Sequence, residues 1–232
     1  MESGLESAQE QGSPAFCKRE GLATLSLGRI FSIVALFVGL STSLVADEWL
    51  PPQIREVFSP DRQYFVRITP GESWGEPRGF KGAKIGKHPQ AAFFREQSDK
   101  GYRLERTIDL PNPVAPVEVF VPNYGDLVTL DNWHNEGYGA VLVLYHWDGK
   151  IVKSYKLSDL FSKKEIDSFP MSVSSIWWHK GPTYIKQDEK DFYMGYREPP
   201  DYSELILKLS NGSVRLCATL PKYHCWTPPG SD

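Results

Sequence analysis

The chain has 232 residues, of which 41% are hydrophobic and 24% charged, and its formal net charge is -3. That balance excludes an intrinsically disordered chain, and the weak net charge excludes a nucleic-acid binder that works by bulk electrostatics. The length is enough for one sizeable hydrophobic core beyond the N-terminal segment.

At the N-terminus Arg29 precedes an almost uninterrupted apolar run, Ile30 to Leu40, and Ser41 to Ala46 then lead into Asp47-Glu48. A basic flank, a short apolar stretch and a small residue before a polar start predict a secretory signal peptide within residues 1–46. Residues 47–232 are then a single exported domain, periplasmic or extracellular. The alternative is an uncleaved membrane anchor formed by residues 30–46, near the lower limit of length for crossing a bilayer.

The first meander is predicted at about 54–109. IREVF and QYFVRI flank Ser59-Pro60-Asp61, and AAFFREQ and YRLERTI flank a turn ending at Gly101. Between its second and third strands lies an insertion in which Arg78, Lys81, Lys84 and Lys87 recur every third residue. Its glycines oppose a helix, so it reads as a cationic loop, solvated or in contact with anionic polymer or lipid headgroups. The second meander, about 115–158, runs from VEVFV to the hairpin around Asp148-Gly149. Within it Val117, Val119 and Val121 alternate with Glu118 and Phe120 at period two. A short helix is predicted next, because Ser162 and Glu165 have the capping-box spacing and Pro170 stops it. The third meander, about 176–218, closes on the hairpin around Asn211-Gly212.

Asp148-Gly149 and Asn211-Gly212 are both predicted as two-residue type I′ turns. Superimposing them places Leu142, Val143 and Leu144 on Leu205, Ile206 and Leu207. The fold class is therefore all-β: three four-stranded antiparallel meanders with one short linking helix. Each meander is about as long as a propeller blade, of 40 to 50 residues. A closed propeller takes typically four blades or more. An incomplete propeller-like or sandwich arrangement follows, or a ring completed by another copy.

The chemically densest stretch is the connection between the second and third strands of the central meander: Asp131, Asn132, Trp133, His134, Asn135, Glu136, Gly137, Tyr138 and Gly139. Asp131, His134 and Glu136 are metal-ligand types close together, without a dedicated spacing. Turn capping by Asp131 and Asn132, aromatic packing by Trp133 and Tyr138, and bending at the glycines account for the same residues structurally. Trp177-Trp178-His179 is the second cluster. Adjacent strand residues face opposite ways, so one Trp enters the core and the other stays outside, where a ring can stack on a sugar. Trp178 and His179 join the 131–138 loop as candidate binding residues, although packing on the sheet is the commoner use of such rings. Cys217 and Cys225 are an even pair that an oxidising compartment would join as a disulfide, worth about 2 to 3 kcal/mol for so short a loop.

The string FSPDRQYFVRI, Phe58 to Ile68, resembles the F-S-P-D-G-K-Y opening of WD40-like β-propeller repeats in TolB-type periplasmic proteins, with Arg62-Gln63 in place of Gly-Lys. The stretch from Leu127 to Phe161 is similar to a set of exported bacterial proteins that share no assigned activity. These resemblances imply an exported β-propeller-like domain and no catalytic residue. The chain carries no G-x-S-x-G elbow, no G-x-G-x-x-G loop and no H-E-x-x-H helix. The expectation is a non-enzymatic protein that binds a protein or glycan through the 131–138 rim loop, without a cofactor, and meets the membrane only through an uncleaved N-terminal segment. The alternative is a metal-assisted hydrolase or lyase using Asp131, His134 and Glu136.

Overall fold

The computed structural model describes residues 49–72, 87–98, 100–186, 190–197, 203–218, 222, 224–228 and 230. All of them lie in the compact unit Asp47–Asp232. The N-terminal segment 1–46 and the basic residues Arg78, Lys81 and Lys84 lie outside the described residues.

The chain is nearly all β. Strands β1 (Arg55–Phe58), β2 (Tyr64–Thr69), β3 (Gln90–Gln97) and β4 (Gly101–Asp109) form the first sheet. The second comprises β5 (Pro116–Phe120), β6 (Leu127–Asn132), β7 (Leu142–Tyr145) and β8 (Ile151–Tyr155). The third holds β9 (Thr183–Ile185), β10 (Asp191–Arg197), β11 (Ser203–Lys208), β12 (Val214–Ala218) and β13 (His224–Trp226). Each sheet is an antiparallel meander in chain order, and none closes into a barrel. The third exceeds the expected four strands because the tail adds β13, which pairs Trp226 with Leu216 and Cys225 with Cys217. The Cys217–Cys225 disulfide joins these two facing strands.

The second sheet is buried on both faces, as the uninterrupted burial of β6 and β7 shows. Leu127, Val143 and Tyr145 pack with Val66, Ile68, Ala91 and Phe93 of the first sheet. Val128, Leu130, Leu142 and Leu144 pack with Phe192, Met194, Leu205 and Leu207 of the third. Each fully buried aliphatic side chain contributes about 1.5 to 3 kcal/mol.

The hairpin turns depart from the expected type I′ form. Around Asp148, Gly149 N bonds His146 O and His146 N bonds Lys150 O, a three-residue loop; around Asn211, Lys208 N bonds Ser213 O, a four-residue loop. Only the glycines have positive φ, 83° at Gly149 and 72° at Gly212. Asp148 Oδ1 instead accepts Lys150 N, and Asn211 Oδ1 accepts Ser213 N, side-chain turns that need no left-handed residue at those positions. The extra residue in the second loop shifts the equivalence of the two hairpins by one. Val143 therefore corresponds to Leu205, both facing the preceding sheet, and the expected match of Leu142 and Leu144 to Leu205 and Leu207 exchanges faces.

Glycine at these turns also answers a close approach. A Cβ on Gly149 would lie 2.6 Å from Ile108 Cγ2 of β4, and one on Gly212 would lie 2.5 Å from Lys153 Cβ of β8. Each turn thus seats on the fourth strand of the preceding sheet, joined by Arg106 to Asp148 O at 2.8 Å and by Tyr155 Oη to Gly212 O at 2.6 Å. The first strands are linked as well: Arg55 donates to Val117 O and Pro116 O, and Thr183 Oγ1 donates to Glu118 Oε2.

Between the second and third sheets run two helical turns, α1 (Leu157–Leu160) and α2 (Lys163–Ile166), where one helix was expected. Phe161 takes an extended conformation between them and packs its ring against Phe169 and Trp178. Ser162 caps α2 through the expected reciprocal pairing with Glu165.

Candidate functional site

The β6–β7 connection and the segment leading into β9 meet at one carboxylate. Asp131 lies at the end of β6 with φ of 53°, a left-handed conformation that Asp tolerates better than most residues. That turn breaks the period-two alternation. The carboxylate follows Leu130 onto the side of the third sheet, where Trp178 lies in the same core. Trp178 Nε1 donates to Asp131 Oδ1 and Oδ2 at 2.9 and 3.0 Å, and His179 Nε2 lies 2.9 Å from Oδ2. Gly137 N, across the loop, donates to Oδ1 at 2.8 Å. Asp131 and Trp178 are fully buried, so these bonds take the place of the water that burial removes from their polar atoms.

Burial disfavours the charged form of His179, but the Asp131 hydrogen bond and the charges of Asp131, Glu118 and Glu136 outweigh it and raise its pKa above the ordinary value. The arrangement therefore favours the protonated imidazole of His179 more than water does.

Asn132, also buried, donates to Tyr138 O and Ala140 O and accepts from Asn112 Nδ2 at 2.8 Å. Asn112 further donates to Asp131 O at 3.0 Å. The loop is tied to the next segment through Ile176 N, which donates to Glu136 O at 2.9 Å. Gly137 permits this contact, since a Cβ there would lie 2.7 Å from Ile176 Cβ. Trp133 packs edge-on against Trp49, and His134 lies tilted against the same ring with centroids 5.5 Å apart.

The structure thus brings Asp131, Trp178 and His179 together and uses Asn132 to brace the loop. Trp178, expected among the binding residues, has no exposed surface; the accessible ring is Trp177, 43% exposed, with Tyr138 at 39%. Asp131, His134 and Glu136 form no common ligand set. The Asp131 carboxylate points at Trp178 and His179, while His134 lies on Trp49. Among the described residues no group of three or more His, Cys, Asp or Glu side chains is placed to hold a metal ion. The contributions of Asn112 and Trp49 escape sequence reasoning: Asn112 stands between two prolines in an apparent connector, and Trp49 sits just after the N-terminal segment. Comparison of the chain with protein-family models, curated proteins and solved structures returned no match.

Proposed function

We propose that this protein is an exported binding module that holds a protein or glycan ligand on the rim formed by the 131–139 loop and the segment around Trp177. The observation that carries the reading is the pair of exposed rings, Trp177 and Tyr138, on two segments braced by Asp131 and by the Ile176–Glu136 hydrogen bond. Rigid aromatic faces beside polar groups bind at low entropic cost, because little side-chain freedom is lost on contact. Binding loops held on a rigid β scaffold are the common arrangement for such surfaces. The arrangement of three consecutive meanders and the Ser59-Pro60-Asp61 turn support kinship with propeller-like exported proteins. In that turn Ser59 Oγ donates to Asp61 Oδ1, and Arg62 takes the left-handed position where the repeat has glycine.

A glycan array combined with a pull-down from periplasmic or surface extract tests the reading. Trp177→Ala is expected to weaken the captured interaction by about 2 kcal/mol, roughly thirtyfold in Kd, as for an aromatic anchor. Unchanged affinity in both Trp177→Ala and Tyr138→Ala would remove the rim as the binding surface.

A further inference from the structure

The fourth strands of the three sheets end them in different ways. β4 and β8 are edge strands, and each pairs with its neighbour through a register shift, between Phe93 and Phe94 in the β3–β4 ladder and between Leu144 and Tyr145 in the β7–β8 ladder. Their middle residues, Glu105 and Lys153, are charged. Irregular pairing and charge are devices that keep an edge from joining another chain. β12 has neither at its centre: it pairs with β11 in unbroken register, and its middle residue is Leu216. Its edge is covered instead by β13, three exposed residues that pair with Leu216, Cys217 and Ala218 and are bridged to β12 by Cys217–Cys225. The third sheet thus uses a covalent cover where the other two use irregularity and charge.

The two bridged residues differ in access. Cys225 is exposed, while Cys217 is 1% exposed and packs with Tyr193 and Ile206, so an incoming thiolate reaches the Cys225 side of the bond. Beyond β13, Gly230 N donates to Asp159 O at 3.2 Å, a single hydrogen bond at the long end of the range. With β13 displaced, β12 presents a row of backbone donors and acceptors. Paired antiparallel with a second copy about Leu216, it sets Leu216 opposite Leu216, Arg215 opposite Cys217 and Val214 opposite Ala218, so no charge stands opposite its like. The same operation would set Glu105 against Glu105 on β4 and Lys153 against Lys153 on β8.

We propose that the β12 edge is a self-pairing surface for a second copy of this chain, held closed by the Cys217–Cys225 bridge and opened by a dithiol reductant. One thiolate of the reductant attacks Cys225 Sγ, the S–S bond breaks, and Cys217 leaves as a thiolate that takes up a proton. The second thiol of the reductant then displaces Cys225, so two electrons pass to the cysteines and the reductant ends as a disulfide. The freed edges of two copies then join their third sheets into one. Neither the rim nor its ligand takes part.

The test uses the full chain carrying Cys17→Ser, purified in an uncharged detergent, so that Cys217 and Cys225 are its only cysteines. Sedimentation is measured across about a hundredfold range of protein concentration, before and after reduction with dithiothreitol. The oxidised chain is expected to keep one mass throughout. The reduced chain, and Cys225→Ser without reductant, should double that mass at the upper end of the range. Hydrogen exchange locates the contact: the amides of β12 lose protection on reduction at low concentration and regain it as the dimer forms, while those of β10 and β11 stay protected. Equal masses in the oxidised and reduced chains, a dimer whose β12 amides stay unprotected, or lost protection across β10 and β11 would each overturn the proposal. Neither measurement reads glycan or partner binding, so failure here leaves the rim reading standing.

Discussion

Asp131 shows how one residue can unite two distant segments. Its buried carboxylate pairs with a Trp indole, a His imidazole and a backbone amide, so replacing it acts on all three. The pair with His179 gives a stability contribution whose pH dependence has a definite sign. The folded-state pKa of His179 lies above its unfolded value of 6.5. The contribution is therefore fully present below pH 6.5 and is lost as pH rises through the folded value. We expect the melting temperature to fall across that window. Asp131→Asn, which keeps a residue tolerant of left-handed backbone, should lower the melting temperature most at the acid end and flatten the slope. Thermal melts at constant ionic strength measure this, and an identical slope in the variant would show that another group titrates.

At the scale of the element, the turns decide which face each strand presents. One additional residue in the β11–β12 loop is enough to exchange the faces expected from aligning the two hairpins, because side chains alternate at period two. The terminal strand is the other informative element. β13 has three residues, all exposed, and pairs only with β12, so the disulfide is its principal tie to the sheet. Cys225→Ser is expected to cost about 2 to 3 kcal/mol by loop entropy. Hydrogen exchange should show protection lost at Cys225 and Trp226 while the amides of β10 and β11 stay protected. Loss of protection throughout the third sheet would mean that the bridge holds more than the tail.

The middle sheet gives the molecule its unity, since it shares one core with the first sheet and another with the third. Among the described residues neither outer sheet has a private core of comparable size, so unfolding should be a single cooperative transition. Leu144→Ala, which empties a position between the second and third sheets, should cost about 2 to 5 kcal/mol and lower that one transition. Calorimetry resolving two transitions, with only one displaced by the substitution, would refute the shared-core account. The outward faces of the end sheets carry aromatic rows covered by cations. Arg62 lies over Phe58 and Arg67 over Phe94 on the first, and Lys186 lies over Tyr193 on the third. Long basic side chains shield apolar rings while keeping their charges in water, a workable end for an open stack of sheets.

Local rules carried much of this architecture. Period-two alternation, Gly-containing turns and the Ser162–Glu165 capping pair act over a few residues, so the sequence by itself determined the all-β class, the three consecutive meanders and the capped helical turn. The same rules marked the 131–139 loop and Trp177 to His179 as unusual. Only the tertiary structure decided that these two segments share a carboxylate, because Asp131 stands 47 and 48 residues from its Trp178 and His179 partners. It also decided which tryptophan is buried, that His134 turns toward Trp49 and away from Asp131, and which face of β11 meets the second sheet. Those outcomes depend on how whole sheets stack and on the length of a single loop, and no pattern confined to one strand encodes them.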